Sequence, residues 1–285
     1  MSNISHISLL QPVDYLLIGH ITIDMISGGL RLGGSATYGA LTAQALGLRV
    51  GIVTSWGQEL PLGPLNGIPI INSPSEKSTT FENIYTNEGR IQFIHHVANN
   101  IHLNAIPDVW RNTAIVHLAP VAQEVDPSLV RYFPTALIGI TPQGWLRSWN
   151  DSKQITSTEW PEASFVLQRA GAAVISEEDI SGDESRIEEM ATACRVLSVT
   201  DSSSGVRLFW NGDIRRFKPP KVNEVDASGA GDIFAASFFV RLYTTRDPWE
   251  AARFATQLAA HSVTRTGLDS IPTQEEIQEC MVEVI

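Results

Sequence analysis

Short apolar runs separated by a helical segment dominate the first part of the chain. Turn residues bound the runs DYLLIGHI, RVGIVTSWG and GIPIINSP, which is typical of buried β-strands. Between the first two runs, the segment from Ser35 combines small residues with a helical period, and Gly47 suits the end of a helix. This order of strand, helix and strand predicts a parallel sheet.

The same alternation returns later in the chain. Four further strands are predicted in AIVHLAP, TALIGIT, AAVISEED and RVLSVTD, and each ends in a polar or Gly/Pro loop. VRLFWNGDIRRFKPP predicts a hairpin that turns at NGD, and the chain after Asp232 predicts mainly helices. Because open α/β sheets bind ligands at the carboxyl ends of their strands, we expect the functional site in these polar loops.

Residues 78–95 have a different pattern. In STTFENIYTNEGRIQFIH the side chains alternate between two faces, which predicts an antiparallel hairpin turning at NEG. No repeat or linker divides the chain. We therefore expect a single domain over residues 1–285, with a small lid formed mainly by residues 78–104.

Composition excludes several classes of protein. Hydrophobic residues make up 43% and charged residues 18%, so the chain can bury a core and is not of the disordered class. The net charge of −11, without a basic block, argues against nucleic-acid and anionic-membrane partners. Cys194 and Cys280 lack metal-type spacing, the N-terminus lacks the pattern of a signal peptide, and no apolar run is long enough for a membrane span. A cytoplasmic location is expected.

The segment DASGAGD, residues 226–232, concentrates the candidate chemistry. Gly229 and Gly231 allow close backbone approach, and the residues that follow begin an apolar helix. The unpaired N–H groups at that helix start and the positive end of its dipole can hold an anion. Asp232 in the first helical turn suits a general base for a hydroxyl that attacks a phosphoryl group. The alternative interpretation is an ordinary loop with a capping Asp.

Three segments carry a family resemblance. VNEVDASGAGDIFAASFF resembles the D-T-x-G-A-G-D signature of the ribokinase, or PfkB, family of carbohydrate kinases, with Ala227 in place of Thr. GGSATYGALTAQALG resembles the family's N-terminal Gly-Gly signature, and SVTRTGLDSIPT its adenine-side tail. The resemblance, which in its short lid is to the inositol-kinase-like and archaeal sugar-kinase branches, implies a ribokinase-like three-layer α/β sandwich. Its central sheet would be mostly parallel, with helices on both faces and a β-hairpin lid.

The resemblance also implies catalytic roles. Asp232 corresponds to the catalytic base, and residues 229–231 to the anion hole. Asp226 and Ser228 belong to a loop that in many members holds a monovalent cation or orients the nucleotide phosphates. For Asp226, a turn-capping role is the alternative.

On the acceptor side, the resemblance assigns hydroxyl binding to Asp24, and close backbone approach to Gly33 and Gly34. An exposed loop acid and a plain turn are the alternatives. Tyr38 stands where the family has an Asn, and we expect it to pack against a substrate ring or a nucleoside base. Arg147, in TPQGWLR, either contacts a phosphate or the substrate, or forms a surface salt bridge.

Two loops correspond to the donor side. SEED aligns with the family's Asn-x-x-Glu motif, so Asp179 or Glu178 would organise Mg²⁺ through water. TDSSSG aligns with the Thr-x-Gly-x-x-Gly nucleotide loop and keeps Thr200 and Gly205, with Ser202 replacing the middle glycine. Thr256 stands where many members have an Asn beside the base, and it either lines that pocket or belongs to the core.

The sequence therefore predicts ATP-dependent phosphorylation of a hydroxyl of a sugar or polyol, with a myo-inositol kinase as one possibility. Mg²⁺, ATP and a monovalent cation are the expected ligands, and either a monomer or a homodimer is compatible with a short lid. A nucleoside kinase is the alternative enzyme. A non-catalytic sugar or nucleotide sensor on the same fold is the alternative from another class.

Overall fold

A computed structural model describes residues 10–86 and 89–281 of the chain. The strands are β1 (Tyr15–Ile18), β2 (Thr22–Ile26), β3 (Gly29–Gly33), β4 (Val50–Trp56), β5 (Ile70–Pro74), β6 (Thr79–Thr86), β7 (Gly89–His96), β8 (Ile115–Leu118), β9 (Leu137–Ile140), β10 (Arg147–Trp149), β11 (Ile155–Ser157), β12 (Ala172–Ser176), β13 (Val196–Asp201), β14 (Gly205–Trp210) and β15 (Asp213–Phe217). The helices are α1 (Ser35–Ala45), α2 (Ala163–Leu167), α3 (Glu184–Ala193), α4 (Ala230–Thr245), α5 (Pro248–Ser262) and α6 (Gln274–Cys280).

The main sheet has nine strands in the order β15-β14-β13-β12-β9-β8-β1-β4-β5. Strands β4, β5, β1, β8, β9, β12 and β13 run parallel, whereas β14 and β15 form an antiparallel hairpin at one edge. The predicted strands and the terminal hairpin are confirmed. The carboxyl ends of the parallel strands lie along one edge, where the polar loops meet.

Both faces of the main sheet are covered. Along β1, Tyr15 and Leu17 belong to one apolar cluster, which includes residues of α1, α4 and α5. Leu16 and Ile18 belong to a second cluster, which includes residues of α2 and α3. This alternation follows from the two-residue period of a strand. The expected three-layer α/β sandwich, with helices on both faces of a mostly parallel sheet, is therefore confirmed.

A second sheet of four strands, in the order β3-β2-β6-β7, stands beside the main sheet. The predicted hairpin forms β6 and β7, although its turn at NEG falls partly outside the described residues. Residues 22–33 supply the other two strands, joined by the two-residue turn Ser27–Gly28. The expected lid was formed mainly by residues 78–104, and the small sheet also contains β2 and β3.

Buried hydrogen bonds anchor the small sheet where the chain leaves β1. His20 is fully buried, and its imidazole bonds to Thr79 Oγ1 at 2.7 Å and to the Asn99 carbonyl at 2.9 Å. Its backbone N–H donates to Glu124. The small sheet thus stands over the carboxyl edge of the main sheet, next to the loop that precedes α4.

Candidate active site

Helix α4 begins at the glycine-rich segment predicted to hold an anion. Gly229 has a left-handed backbone, with φ of 78°, and directly precedes the helix. The Ala230 amide donates to the Ala227 carbonyl at 3.2 Å, so it is not the free donor that the sequence suggested. Among the described residues, the amides of Gly229, Gly231 and Asp232 have no acceptor. These N–H groups, which we call the anion cradle, lie at the positive end of a 16-residue helix, an arrangement that favours the binding of an anion.

Asp232 projects from the first turn of α4 into the cleft. Burial raises the pKa of its carboxyl to about 6, against the opposing effects of a hydrogen bond from Ser35 and the positive charge of Arg147. The negative charges of Asp179 and Asp24 raise this pKa further. A carboxylate whose pKa lies close to neutrality is suited to accept a proton from a hydroxyl.

Tyr38 packs directly against the cradle. A Cβ at Gly229 would lie 2.3 Å from Cδ1 of Tyr38, so only glycine fits there. The Tyr38 side chain is almost fully enclosed, with 2% exposure, and its hydroxyl has no hydrogen-bond partner among the described residues. The expectation that its ring packs against a substrate ring or a base is therefore wrong in this structure, because no ring face is open.

Asp226 organises the turn that leads into the cradle. Its Oδ1 accepts from the Ser228 amide at 2.9 Å, as expected for a capping residue. Its Oδ2 accepts from the Gly267 amide at 3.1 Å and from Arg31 Nη1 at 3.2 Å, and Arg31 Nη2 also donates to Ser228 Oγ. These bonds and the Arg31 charge hold the pKa of Asp226 below its usual value, although burial opposes them.

The residues predicted to bind the acceptor lie on the small sheet and in the Gly-Gly turn. The carboxylate of Asp24 lies over Gly33, where an added Cβ would be 2.2 Å from Oδ2. Gly34 has φ of 84°, and a Cβ there would lie 2.9 Å from the His20 carbonyl and from Thr22 Oγ1. Both glycines are therefore required by close packing, and the structure brings Asp24 to the same cleft as Asp232.

Arg147 is buried at 8% exposure, so the surface salt-bridge interpretation is wrong. Its Nη1 donates to the Val121 carbonyl at 3.2 Å, and the guanidinium lies 5.6 Å from the centre of the Phe81 ring. Its positive charge lowers the pKa of both Asp179 and Asp232. Arg147 therefore supplies a cation inside the acidic cleft.

Of the two candidate metal-organising acids, Asp179 is the one that faces this cleft. Burial raises its pKa, and its oxygens accept from Gln143 Nε2 and from the Ser176 amide, both at 3.2 Å. Glu178 is exposed. The described residues contain no group of three or more His, Cys, Asp or Glu able to hold a metal ion. This donor set fits Mg²⁺ held through water and substrate phosphates rather than directly by protein ligands.

The loops predicted to bind the donor lie side by side at the carboxyl ends of β12 and β13, where Ser176 pairs with Thr200. Gly205 has φ of 95° and meets the Phe217 carbonyl closely, which explains why glycine is kept there. Ser202 also has a left-handed backbone and is exposed. Thr256 lies in the core and donates to the Ala252 carbonyl at 2.7 Å, so it does not line an open pocket here.

Sequence reasoning missed two residues of this site. Ser35, which bonds to Asp232, follows the Gly33–Gly34 pair directly, so its position was a usable signal. Arg31 carried no such signal, because its contact with Asp226 joins residues 195 positions apart.

Several known proteins are similar to this chain in sequence. The family model described as pfkB family carbohydrate kinase matches residues 152–275. Fructokinase from Escherichia coli is 28% identical over 191 residues, which are 59% of this chain and 61% of the fructokinase. Cytidine kinase from Thermococcus kodakarensis is 24% identical over 281 residues, covering 90% of this chain and 98% of that protein.

Solved structures share the fold across nearly the whole chain. A pyrophosphate-dependent kinase in the ribokinase family, complexed with a pyrophosphate analog and myo-inositol, has a TM-score of 0.78 at 18% identity, covering 94% of this chain and 100% of that one. Ribokinase from Thermotoga maritima has a TM-score of 0.70 at 20% identity, covering 94% and 99%. The chain therefore resembles the pfkB family of carbohydrate kinases over residues 152–275, and it shares its fold with ribokinase-family structures over nearly its whole length.

Proposed function

We propose that this protein transfers the γ-phosphoryl group of ATP to a hydroxyl of an uncharged sugar or polyol. The observation that carries the proposal is Asp232, a carboxyl with a pKa of about 6, placed beside the unpaired amides of Gly229 and Gly231. A base and an anion cradle at one helix start are the two groups that phosphoryl transfer to a hydroxyl requires.

Charge supports an uncharged acceptor. Four carboxyl groups surround the cleft, on Asp24, Asp179, Asp226 and Asp232, and they are opposed by the cations of Arg31 and Arg147. This excess of negative charge disfavours a second anion on the acceptor. A carboxylate such as Asp24 accepts hydroxyl hydrogen bonds readily, which suits a sugar or a polyol of the inositol type.

In the proposed reaction, Asp232 accepts the proton of the acceptor hydroxyl as its oxygen bonds to the γ-phosphorus. The bond between that phosphorus and the β–γ bridging oxygen breaks, and ADP leaves. The amides of Gly229 and Gly231 stabilise the negative charge on the transferring group. Asp24 orients the acceptor, and the Gly33 backbone allows its close approach.

Mg²⁺, when bound, would neutralise the donor phosphates. Asp179 would hold it through water, because both of its oxygens already accept hydrogen bonds within the protein. A monovalent cation at Asp226 would compete with Arg31, which bonds to Oδ2 of that carboxylate. We therefore propose activity that needs Mg²⁺ and responds little to the choice of Na⁺ or K⁺.

The small sheet is proposed to act as a lid. It carries Asp24 over the cleft and is joined to the main sheet near His20, so its closure would exclude water from the reacting groups. No helix within residues 10–86 and 89–281 is long and apolar enough to cross a membrane. The two cysteines are buried free thiols, which favours a reducing cytoplasm.

A nucleoside kinase is the second candidate, favoured by the near full-length similarity to a cytidine kinase. Tyr38 does not support it, since its ring is enclosed against Gly229. A sensor would have no need of a base with a raised pKa beside unpaired amides, so a non-catalytic role is disfavoured.

The test is turnover with Mg²⁺ and ATP, or with Mg²⁺ and pyrophosphate, on a panel of pentoses, hexoses, inositols, nucleosides and sugar phosphates. We expect turnover with an uncharged sugar or polyol, falling by roughly a hundredfold or more in Asp232→Asn. Asp151→Asn, an exposed loop acid, is the matched control. Donor binding without turnover of any acceptor would contradict the proposed function, and exclusive turnover of nucleosides would select the second candidate.

A further inference from the structure

Arg31 on β3 lies opposite Asp24 on β2, the carboxylate that is proposed to bind the acceptor. In the antiparallel pair of β2 and β3, Arg31 is the direct partner of Asp24. Directly opposite residues of such a pair present their side chains on the same face, with Cβ atoms about 5 Å apart. Arg31 and Asp24 therefore face the cleft together.

The guanidinium of Arg31 reaches across to the loop that precedes α4. It donates to Asp226 Oδ2 at 3.2 Å and to Ser228 Oγ at 3.3 Å, and the two charged side chains are only 22% and 17% exposed. At this exposure a charge-assisted pair is screened less than one at the surface. The contact joins the small sheet to the segment that shapes the cradle.

That segment sets the position of the cradle amides. Asp226 fixes the turn through the Ser228 amide, and Gly229 follows in its left-handed conformation. A displacement of Arg31 would remove one of the two hydrogen bonds to Oδ2 of Asp226, leaving the one from Gly267, and would remove the bond to the Ser228 hydroxyl at the same time. The position of the small sheet and the geometry of the anion cradle are thus mechanically linked.

Two polar atoms beside this contact are unsatisfied. Arg31 Nε and the Tyr38 hydroxyl are both buried without a hydrogen-bond partner among the described residues. Burial raises the pKa of the Tyr38 phenol, and the nearby Arg31 charge opposes that rise. Burying such groups unpaired costs free energy. A ligand oxygen that reaches them would favour the closed arrangement over an open one, because a ligand shifts a conformational equilibrium only through such differential contacts.

We propose that Arg31 is a positioning residue that couples acceptor binding at Asp24 to the ordering of the phosphoryl cradle through Asp226 and Ser228. The role rests on the proposed function. Acceptor binding at Asp24 moves the small sheet toward helix α4, and Arg31 then forms its hydrogen bond to Asp226. The amides of Gly229 and Gly231 thereby take up the geometry for phosphoryl transfer. Without acceptor the docking is weaker, which limits transfer of the phosphoryl group to water.

The test is a double-mutant cycle of Arg31→Met and Asp226→Asn, with Arg31→Lys as the conservative variant. We expect each single substitution to lower kcat by about tenfold, while the double variant falls no further than the worse single one. Arg31→Lys should recover part of the loss. Acceptor-independent hydrolysis of ATP, relative to transfer, should rise in Arg31→Met. Arg49→Met removes an exposed ion pair with Asp14 and should leave kcat unchanged.

Hydrogen exchange separates this proposal from the proposed function. In the wild type, the acceptor with a non-hydrolysable ATP analogue should protect residues 22–33 and 226–232 together, and Arg31→Met should lose that joint protection. Multiplicative losses in the double variant, or unchanged joint protection in Arg31→Met, would overturn the role of Arg31. Absence of turnover in the wild type would instead overturn the proposed function. Exchange without ligands tests the Arg31–Asp226 contact independently of turnover, because residues 226–232 should then exchange faster in Arg31→Met than in the wild type.

Discussion

The hydroxyl of Ser35 donates a hydrogen bond to the carboxylate of Asp232 and thereby joins the starts of helices α1 and α4. The two helices pack against each other, so the Gly-Gly turn and the DASGAGD segment meet at one point. Burial favours the protonated carboxyl, whereas the Ser35 hydrogen bond favours the ionised form. The reactivity of the proposed base therefore depends on this balance.

Ser35→Ala should shift the acid limb of the pH–activity profile to higher pH. The wild-type limb is expected at about pH 6, where Asp232 loses its proton. Loss of one hydrogen bond to the ionised form should move it by roughly one pH unit. Measured as kcat/KM from pH 5 to 9, the variant should be several-fold less active at pH 6 and nearly normal at pH 9.

Ser152→Ala is the matched control, because Ser152 is exposed and bonds only within its own loop. A loss in Ser35→Ala that is equal at every pH would show that Ser35 acts through packing rather than through the proton affinity of Asp232.

Asp232→Asn should abolish the proposed kinase activity and stabilise the fold. The pKa of this carboxyl is higher in the folded protein than its ordinary value of 3.8, so ionisation opposes folding. The free-energy cost of ionising Asp232 in the folded protein is absent below pH 4, grows between pH 4 and pH 6, and is constant at higher pH. Urea unfolding at pH 8 should show the variant more stable by about 2–3 kcal/mol at most, and no gain at pH 4. A variant that is less stable at pH 8 would contradict this.

Two glycines of the cradle should respond differently to alanine. At Gly229 the new Cβ meets the Tyr38 ring at 2.3 Å on a left-handed backbone, so Gly229→Ala should lose about 2 kcal/mol or more of stability. A Cβ at Gly231 meets no atom within 4 Å, so Gly231→Ala should fold normally. Its methyl group would still crowd the anion cradle and lower kcat. Thermal melts with turnover assays check both, and a destabilised but fully active Gly231→Ala would refute the placement of the cradle.

The layered fold was predictable because its strands are short apolar runs ending in polar loops. The hairpin of β2 and β3 was missed, although alternation around the Ser27–Gly28 turn was visible. It was overlooked because the segment lies between a strand and a glycine-rich helix start, where a loop was expected. Tertiary pairing with β6 completes these strands, and no local pattern shows that.

The site was predictable where its functional groups lie within one short segment, as Gly229 and Asp232 do. It was not predictable where side chains distant in sequence meet. No local sequence pattern around Arg31 indicates its contact with Asp226. The ring of Tyr38 packs against Gly229 and not against a ligand. Arg147 likewise looked compatible with the surface, and only folding places it against Phe81 beside the acidic groups.

His117, at the centre of the main sheet, should make the fold sensitive to acid. It is fully buried, bonded to the Tyr15 hydroxyl at 2.8 Å and to Thr141 at 2.9 Å, and burial lowers its pKa to about 3. In the unfolded chain it protonates below its ordinary pKa of 6.5, whereas the folded protein keeps it neutral. Its contribution to stability is therefore present above pH 6.5 and is lost as the pH falls toward 3.

Substitution of this histidine isolates the effect from other titrating groups. His117→Gln keeps polar partners for Tyr15 and Thr141 but cannot titrate. In urea unfolding, the stability gap between wild type and His117→Gln should be about 2 kcal/mol smaller at pH 5 than at pH 7.5. Tyr15→Phe, which keeps the imidazole, should retain most of the wild-type acid sensitivity. An equal gap at both pH values would mean that His117 takes up its proton in the folded state, which the buried hydrogen bonds to Tyr15 and Thr141 argue against.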